Sequence, residues 1–200
     1  QFLACARAKE LAGRYGGEIQ VGTMLSDKLA YPATCRPEDM LFNTRKNQMQ
    51  YLFPDVQFRG YYPGYAMRFF EDNGISLELG EDDERILREN TMDFLSTSYY
   101  YTKVNDVSKN TFEPMDKCSN PYLGKTQWGW EIDPVGLRVN LNNYGDRYPG
   151  VPIYITENGC GAVDKLEPDG TVHDPYRIEY LKEHVIQMQE AIADGVPLKG

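Results

Sequence analysis

In the run Val151-Pro152-Ile153-Tyr154-Ile155-Thr156-Glu157-Asn158-Gly159, one ionisable side chain stands where an aliphatic one is expected. Val151, Ile153 and Ile155 alternate in phase, the pattern of a strand with one apolar face. Glu157 falls on that same phase at the carboxyl end of the run, and Asn158-Gly159 turns the chain away. A carboxylate among Val and Ile is costly to bury without partners, so it meets water at a strand end or serves a purpose. Taken alone the run leaves two readings open. One is a polar strand end before an Asn-Gly hairpin turn; the other is a catalytic carboxylate.

Metal and thiol chemistry find less support. Cys5, Cys35, Cys118 and Cys160 are widely spaced with no C-x-x-C pair, and His173 and His184 are too far apart to share a helical turn. A zinc site needs closer ligands, so no metal or cofactor is expected. Reduced cysteines of an intracellular protein are the plainer reading.

The elements that must hold Glu157 come from the rest of the 200 residues, which suffice for one large domain or two small ones. Apolar content of 41% and aromatic content of 12% supply a core. A net charge of −9 with no basic run argues against a nucleic-acid partner. No apolar run approaches membrane-spanning length and no signal-peptide pattern opens the chain. Both ends read as cut: Phe2 to Ala8 is already helical in composition with no cap before it, and Val196-Pro197-Leu198 opens like a strand and stops.

In order, residues 2–15 read as a helix stopped by Gly16-Gly17, and residues 18–25 as a strand. Pro37-Glu38-Asp39 fits a first helical turn, with the helix running to about Phe53 and broken at Pro54. An aromatic turn, Arg59 to Tyr65, leads into a short helix with Phe69 and Phe70, closed by Asn73-Gly74. The acidic-then-basic run Glu81 to Arg88 reads as a solvated helix face. Met92 to Thr102 reads as a buried strand, and residues 103–127 as a long polar loop. A helix follows at 135–144. The last helix begins at Asp174-Pro175 and carries Ile178, Leu181, Val185, Met188 and Ile192 at 3,4 spacing, with Gly195 as its stop.

Strands alternating with helices mean a parallel sheet with crossovers. A doubly wound sheet would usually carry a G-x-G-x-x-G turn, and none occurs. A segment of a (β/α)₈ TIM barrel fits at least as well, and in such barrels catalytic groups stand at the carboxyl ends of strands, as Glu157 does.

Ile155-Thr156-Glu157-Asn158-Gly159 resembles the I-T-E-N-G signature of family 1 glycoside hydrolases, the retaining β-glycosidases. Asp93-Phe94-Leu95 with Tyr99-Tyr100, Trp128-Gly129-Trp130-Glu131-Ile132-Asp133-Pro134, and Arg59-Gly60-Tyr61-Tyr62-Pro63 resemble further family segments in the right order. Together they cover nearly the whole chain. Ser98-Tyr99-Tyr100, where sugar-only members usually show Asn-Tyr-Tyr, and the 164–178 stretch look like the 6-phospho-β-glucosidase branch. Ser96-Thr97 departs from the Gly-hydrophobic pair usual there.

The resemblance implies an α/β fold, a single catalytic (β/α)₈ barrel domain over residues 1–200, from roughly the fourth helix to the start of the eighth strand and truncated at both ends. It implies Glu157 as nucleophile, Tyr100 as the hydroxyl that orients it, Trp130 as a platform for the leaving-group side of the sugar, and Ser98 at a sugar-facing position. Trp128 is expected beneath a loop. Lys117 and Lys125, in the loop over the pocket, are expected to be solvated unless an anionic substrate meets them. The general-acid glutamate would precede Gln1, and the Ser/Lys/Tyr phosphate clamp would follow Gly200. The 200 residues alone are then expected to be inactive, with open edges covered by further chain or by a second copy in a homo-oligomer. The implied substrate is a phosphorylated β-glucoside, met in the cytoplasm without membrane or nucleic acid. The alternatives are a β-glucosidase or β-galactosidase without phosphate preference and a non-catalytic sugar-binding relative.

Overall fold

The structure is a computed structural model and describes residues 1–16, 18–113 and 115–200. Its elements in chain order are α1 (Phe2–Arg14), β1 (Thr23–Ser26), β2 (Ala30–Pro32), α2 (Pro37–Arg59), α3 (Gly64–Asp72), α4 (Asp83–Glu89), β3 (Leu95–Tyr99), β4 (Lys103–Asn105), α5 (Pro134–Arg147), β5 (Ile153–Asn158) and α6 (Pro175–Ala193). The main sheet has the order β1-β3-β5, all parallel, and Leu198 bridges to Ile153 in the parallel sense to open a fourth position. Spatial order follows chain order with no reversal. That is the winding of a closing barrel; a doubly wound sheet reverses direction at its middle. β2 and β4 continue past the ends of β1 and β3 as a separate parallel pair.

β3 is buried along its whole length, as a central parallel strand should be. Leu25, Leu95, Tyr99 and Ile153 from the sheet pack with Leu137, Leu141 and Tyr144 of α5 and Ala191 of α6. Each fully buried leucine there contributes about 2 kcal/mol. A second cluster, with Ala6, Leu52, Val56, Ala66, Ile86 and Leu87, joins α1 to α4.

Five sequence expectations are corrected. The strand proposed for 18–25 forms only from Thr23, because Asp93 takes over the pairing before it: its carboxylate accepts from Val21 N at 2.7 Å. The Phe94 ring also lies over Gly22, where a Cβ would collide with it. The helix proposed to break at Pro54 runs on to Arg59. A proline inside a helix costs about 3 kcal/mol, and the turn that follows it is held by buried Asp55 and Val56. Residues 103–105, read as loop, are β4. In the acidic-then-basic run, Asp83, Ile86 and Leu87 are buried, so α4 is solvated on one side only. The last helix forms where its periodicity puts it, but Ile178, Leu181, Val185 and Ile192 are exposed. The face turned inward carries Tyr180, His184 and Ala191.

Smaller details also differ. Asp174 precedes α6, but its side chain pairs with Arg177 and makes no cap bond. Gly17 of the Gly16-Gly17 stop lies outside the described residues, and Gly16 takes φ +68°. All four cysteines are free. No helix among the described residues is long and apolar enough to cross a membrane.

Candidate active site

β3 and β5 pair Leu95 with Ile153, Ser96 with Tyr154 and Thr97 with Ile155, and then the register slips, so that Ser98 stands opposite Glu157. Thr156 is the extra residue, a bulge on β5. Paired residues in a sheet share a face. Ile153 and Ile155 therefore lie with Leu95 and Thr97 on the side packed against the helices, while Glu157 lies with Ser98 on the other side. The alternation in the sequence puts Glu157 on the isoleucine face, and the bulge takes it off. Without the slip the carboxylate would be aimed into the helical shell.

On that other face Glu157 is exposed at the strand's end. Tyr100 Oη donates to Glu157 Oε2 at 2.6 Å. This bond, and after it the Ser98 hydroxyl, hold the Glu157 carboxyl below its ordinary value, while the same bond raises Tyr100. A carboxylate with a lowered pKa is ionised across the neutral range, which is what a nucleophile needs and a general acid does not. Ser98 is buried and its Oγ lies 3.4 Å from Met24 Sδ.

Trp130 reaches the same place from the loop before α5. Lys125 and Glu131 pair across a tight turn in which Thr126 N donates to Trp130 O at 2.8 Å and Gly129 N to Thr126 O at 2.9 Å. Gly129 takes φ +80°, which favours glycine. The Trp130 ring lies 5.5 Å from both Tyr100 and Tyr101, and Trp128 packs edge-on to it at 5.4 Å. Trp128 was expected beneath a loop but is 60% exposed. Its indole lies over Gly161, where any Cβ would fall inside the ring, so one face is covered and the rest meets solvent.

The base of this loop is fixed by residues that the sequence reading passed over. Glu131 is fully buried, with Lys103 Nζ at 2.6 Å and Lys125 Nζ at 4.0 Å. Asp133 accepts from Tyr31 Oη at 2.9 Å, from Thr102 Oγ1, and from Gly136 N at 2.8 Å as the cap of α5. Its carbonyl accepts from Tyr99 Oη at 2.6 Å. The signal for this cap was present in Asp133-Pro134, an N-cap before a proline at the first helical position.

The loop lysines do not converge on Glu157. Lys117 Nζ is turned onto the carbonyl of Lys28, and burial, with Lys46 nearby, pushes it down to about 8. Lys125 bonds Ser119 Oγ at 2.9 Å. A cleft of about 210 Å³ beside Gly161 is lined by Gln127, Ile132, Cys160, Tyr176 and Tyr180 among others. A separate cleft of about 620 Å³ runs between α2 and α3, in the shell and away from the strand ends.

The chain matches Glycosyl hydrolase family 1 over residues 1–200. It belongs to that family. The aryl-phospho-β-D-glucosidase BglH of Bacillus subtilis (strain 168) is 43% identical over 205 residues, covering 100% of this chain and 44% of the relative. The phospho-cellobiase of Klebsiella oxytoca is 44% identical over 207 residues, with 100% and 44% covered. Among solved structures, a family 1 β-glucosidase from Thermotoga maritima superposes with a TM-score of 0.81 at 30% identity, over 98% of this chain and 44% of that one. The chain thus spans less than half the length of these relatives, and its fold is the corresponding part of a TIM barrel.

Proposed function

We propose that the full-length protein is a retaining glycosidase that cleaves 6-phospho-β-glucosides, with Glu157 as its nucleophile. The observation that carries this is the 2.6 Å bond from Tyr100 Oη to a Glu157 carboxylate that a bulge has turned off the isoleucine face. In a double displacement the carboxylate attacks the anomeric carbon and expels the leaving group, forming a covalent glycosyl-enzyme. Water then attacks that carbon and frees the carboxylate. Tyr100 fixes one oxygen and leaves the other free to attack. Trp130 offers an indole face to the C–H groups of the leaving-group sugar or aryl ring. The second carboxylate, about 5–5.5 Å from the first in retaining enzymes, comes in this reading from chain outside these 200 residues, as does the phosphate clamp. The 200 residues alone then form part of one catalytic domain and turn over no substrate.

The phosphorylated substrate is supported by relatives at 41–44% identity named as phospho-β-glucosidases or a phospho-cellobiase. Phosphorylated sugars are cytosolic metabolites, which makes the cytoplasm the site of action. A second reading, a β-glucosidase without phosphate preference, is favoured by solved neighbours named simply β-glucosidase, at 26–30% identity. The test is mechanism-based trapping on the full-length protein. A 2-fluoro-6-phospho-glucoside should add one sugar to wild type and none to Glu157→Gln. Trapping that persists in the variant would refute the nucleophile. Equal kcat/KM for 4-nitrophenyl glucoside with and without the 6-phosphate would favour the second reading.

A further inference from the structure

Tyr99 opposite Asn158 is the last registered pair of β3 and β5, so Tyr100 lies one residue beyond the ladder. The Thr156 bulge has already interrupted that ladder just before Glu157. Sheet hydrogen bonds are thus weakest where the Tyr100–Glu157 contact has to be held. A side chain from α6 fills the gap. Tyr180 Oη donates to the carbonyl of Tyr100 at 3.0 Å and accepts from Asn158 Nδ2 at 3.3 Å. Asn158 Nδ2 also donates to the Tyr99 carbonyl at 2.9 Å. One phenol therefore ties the backbone of Tyr100 to the residue next to Glu157.

The phenol is itself held. Tyr180 is 4% exposed and His184 is 0% exposed. The two rings, one helical turn apart, stack at 3.9 Å and 27°. His184 Nδ1 is 2.6 Å from the Tyr180 carbonyl, and a carbonyl only accepts, so Nδ1 carries the hydrogen. Burial lowers the His184 pKa and keeps the ring neutral. The imidazole also meets the Tyr99 ring, tilted, at 5.9 Å between centroids.

We infer that Tyr180 is the positioning residue of the Tyr100–Glu157 pair, binding both strand ends through its hydroxyl and held in place by His184. It touches no reacting atom. The inference rests on the reading of Glu157 and Tyr100 as a working pair. Displacement of such a pair by a fraction of an ångström is expensive, since about 1 Å can cost a hundredfold in rate.

The test is Tyr180→Phe in the full-length protein, which keeps the ring and its stack and removes the hydroxyl. With 4-nitrophenyl 6-phospho-β-glucoside, kcat should fall about tenfold to a hundredfold with KM little changed. The acid limb of kcat/KM should move to higher pH, because a loosened Tyr100 bond no longer lowers Glu157. A purely architectural tyrosine would lower the melting temperature and leave the acid limb in place, and that result would overturn the inference. His184→Phe, which keeps an aromatic stack and loses the Nδ1 bond, should shift the limb in the same direction by less. It also carries the test if Tyr180→Phe does not fold, and an unmoved limb there counts equally against the inference. Failure of the nucleophile itself reads out separately, as retained activity in Glu157→Gln.

Discussion

Two carboxylates in this chain have opposite surroundings. Asp55, on the last turns of α2, is fully buried and saturated with donors. Arg147 grips it with two nitrogens at 2.8 and 2.6 Å, Tyr65 Oη donates at 2.6 Å, Tyr148 Oη at 2.9 Å, and Arg59 lies at 3.3 Å. Glu157 is exposed, accepts from Tyr100 with the Ser98 hydroxyl beside it, and makes no salt bridge among the described residues. A saturated carboxylate has no lone pair to offer and joins elements together: here α2, α3 and α5. An undersaturated one at a strand end has an oxygen left for chemistry. Carboxylate type alone does not separate the two; their surroundings among the described residues do.

Exchanging the two carboxylates for amides should separate the roles most sharply. Glu157→Gln should abolish turnover, by about a thousandfold or more, with the melting temperature unchanged. Asp55→Asn should do the reverse, costing about 3–5 kcal/mol of stability while the folded fraction keeps its kcat; chemical denaturation and active-site titration read both. Arg147→Met tests the same network from its cation. It should cost about 3 kcal/mol, the lower end for a broken buried pair, because the Arg147 side chain is 25% exposed. A loss confined to activity would break the contrast.

Tyr100→Phe should lower kcat about a hundredfold and raise the acid limb of the pH–rate profile. The sign follows from the bond: Tyr100 lowers the Glu157 pKa, so its removal delays ionisation until higher pH. Tyr148→Phe removes one of several donors to Asp55 and should cost about 1–2 kcal/mol, with no change in that limb. If Tyr148→Phe moved the limb and Tyr100→Phe did not, the assignment of roles would be reversed.

Much of this arrangement was legible in the residues, and the illegible parts share a cause. Glu157, Tyr100 and Trp130 could be picked out because strand ends, turn residues and family motifs are local patterns, and the structure brings all three together. The Thr156 bulge could not be read, because register is a property of two strands and Ile153-Tyr154-Ile155-Thr156-Glu157 alternates without a break. Pro54 misled because local propensity carries no record of Asp55 and its distant partner Arg147. On α6 the 3,4 apolar spacing identified the helix, but of its five residues Met188 alone packs on the core, beside Tyr180, His184 and Ala191, while Ile178, Leu181, Val185 and Ile192 are exposed. Tyr180 and His184 share the i, i+4 spacing that could have marked them, but two polar-tipped rings do not score as a core stripe. Asp133 was passed over in the same way, its partners Tyr31 and Thr102 being far off in the chain.

The slip at Thr156 also bears on how a gene for this chain can change. Loss of the single codon for Thr156 would leave a tidier sheet, with every rung of β5 matched to β3. The glutamate would still stand opposite Ser98, because the deletion removes the bulged residue and keeps the pairs on either side; what would bring it opposite Tyr99, toward the helices, is an unbulged pairing with Thr156 retained. In the proposed reading of Glu157, selection on this strand therefore acts on its pairing with β3 as well as on its composition.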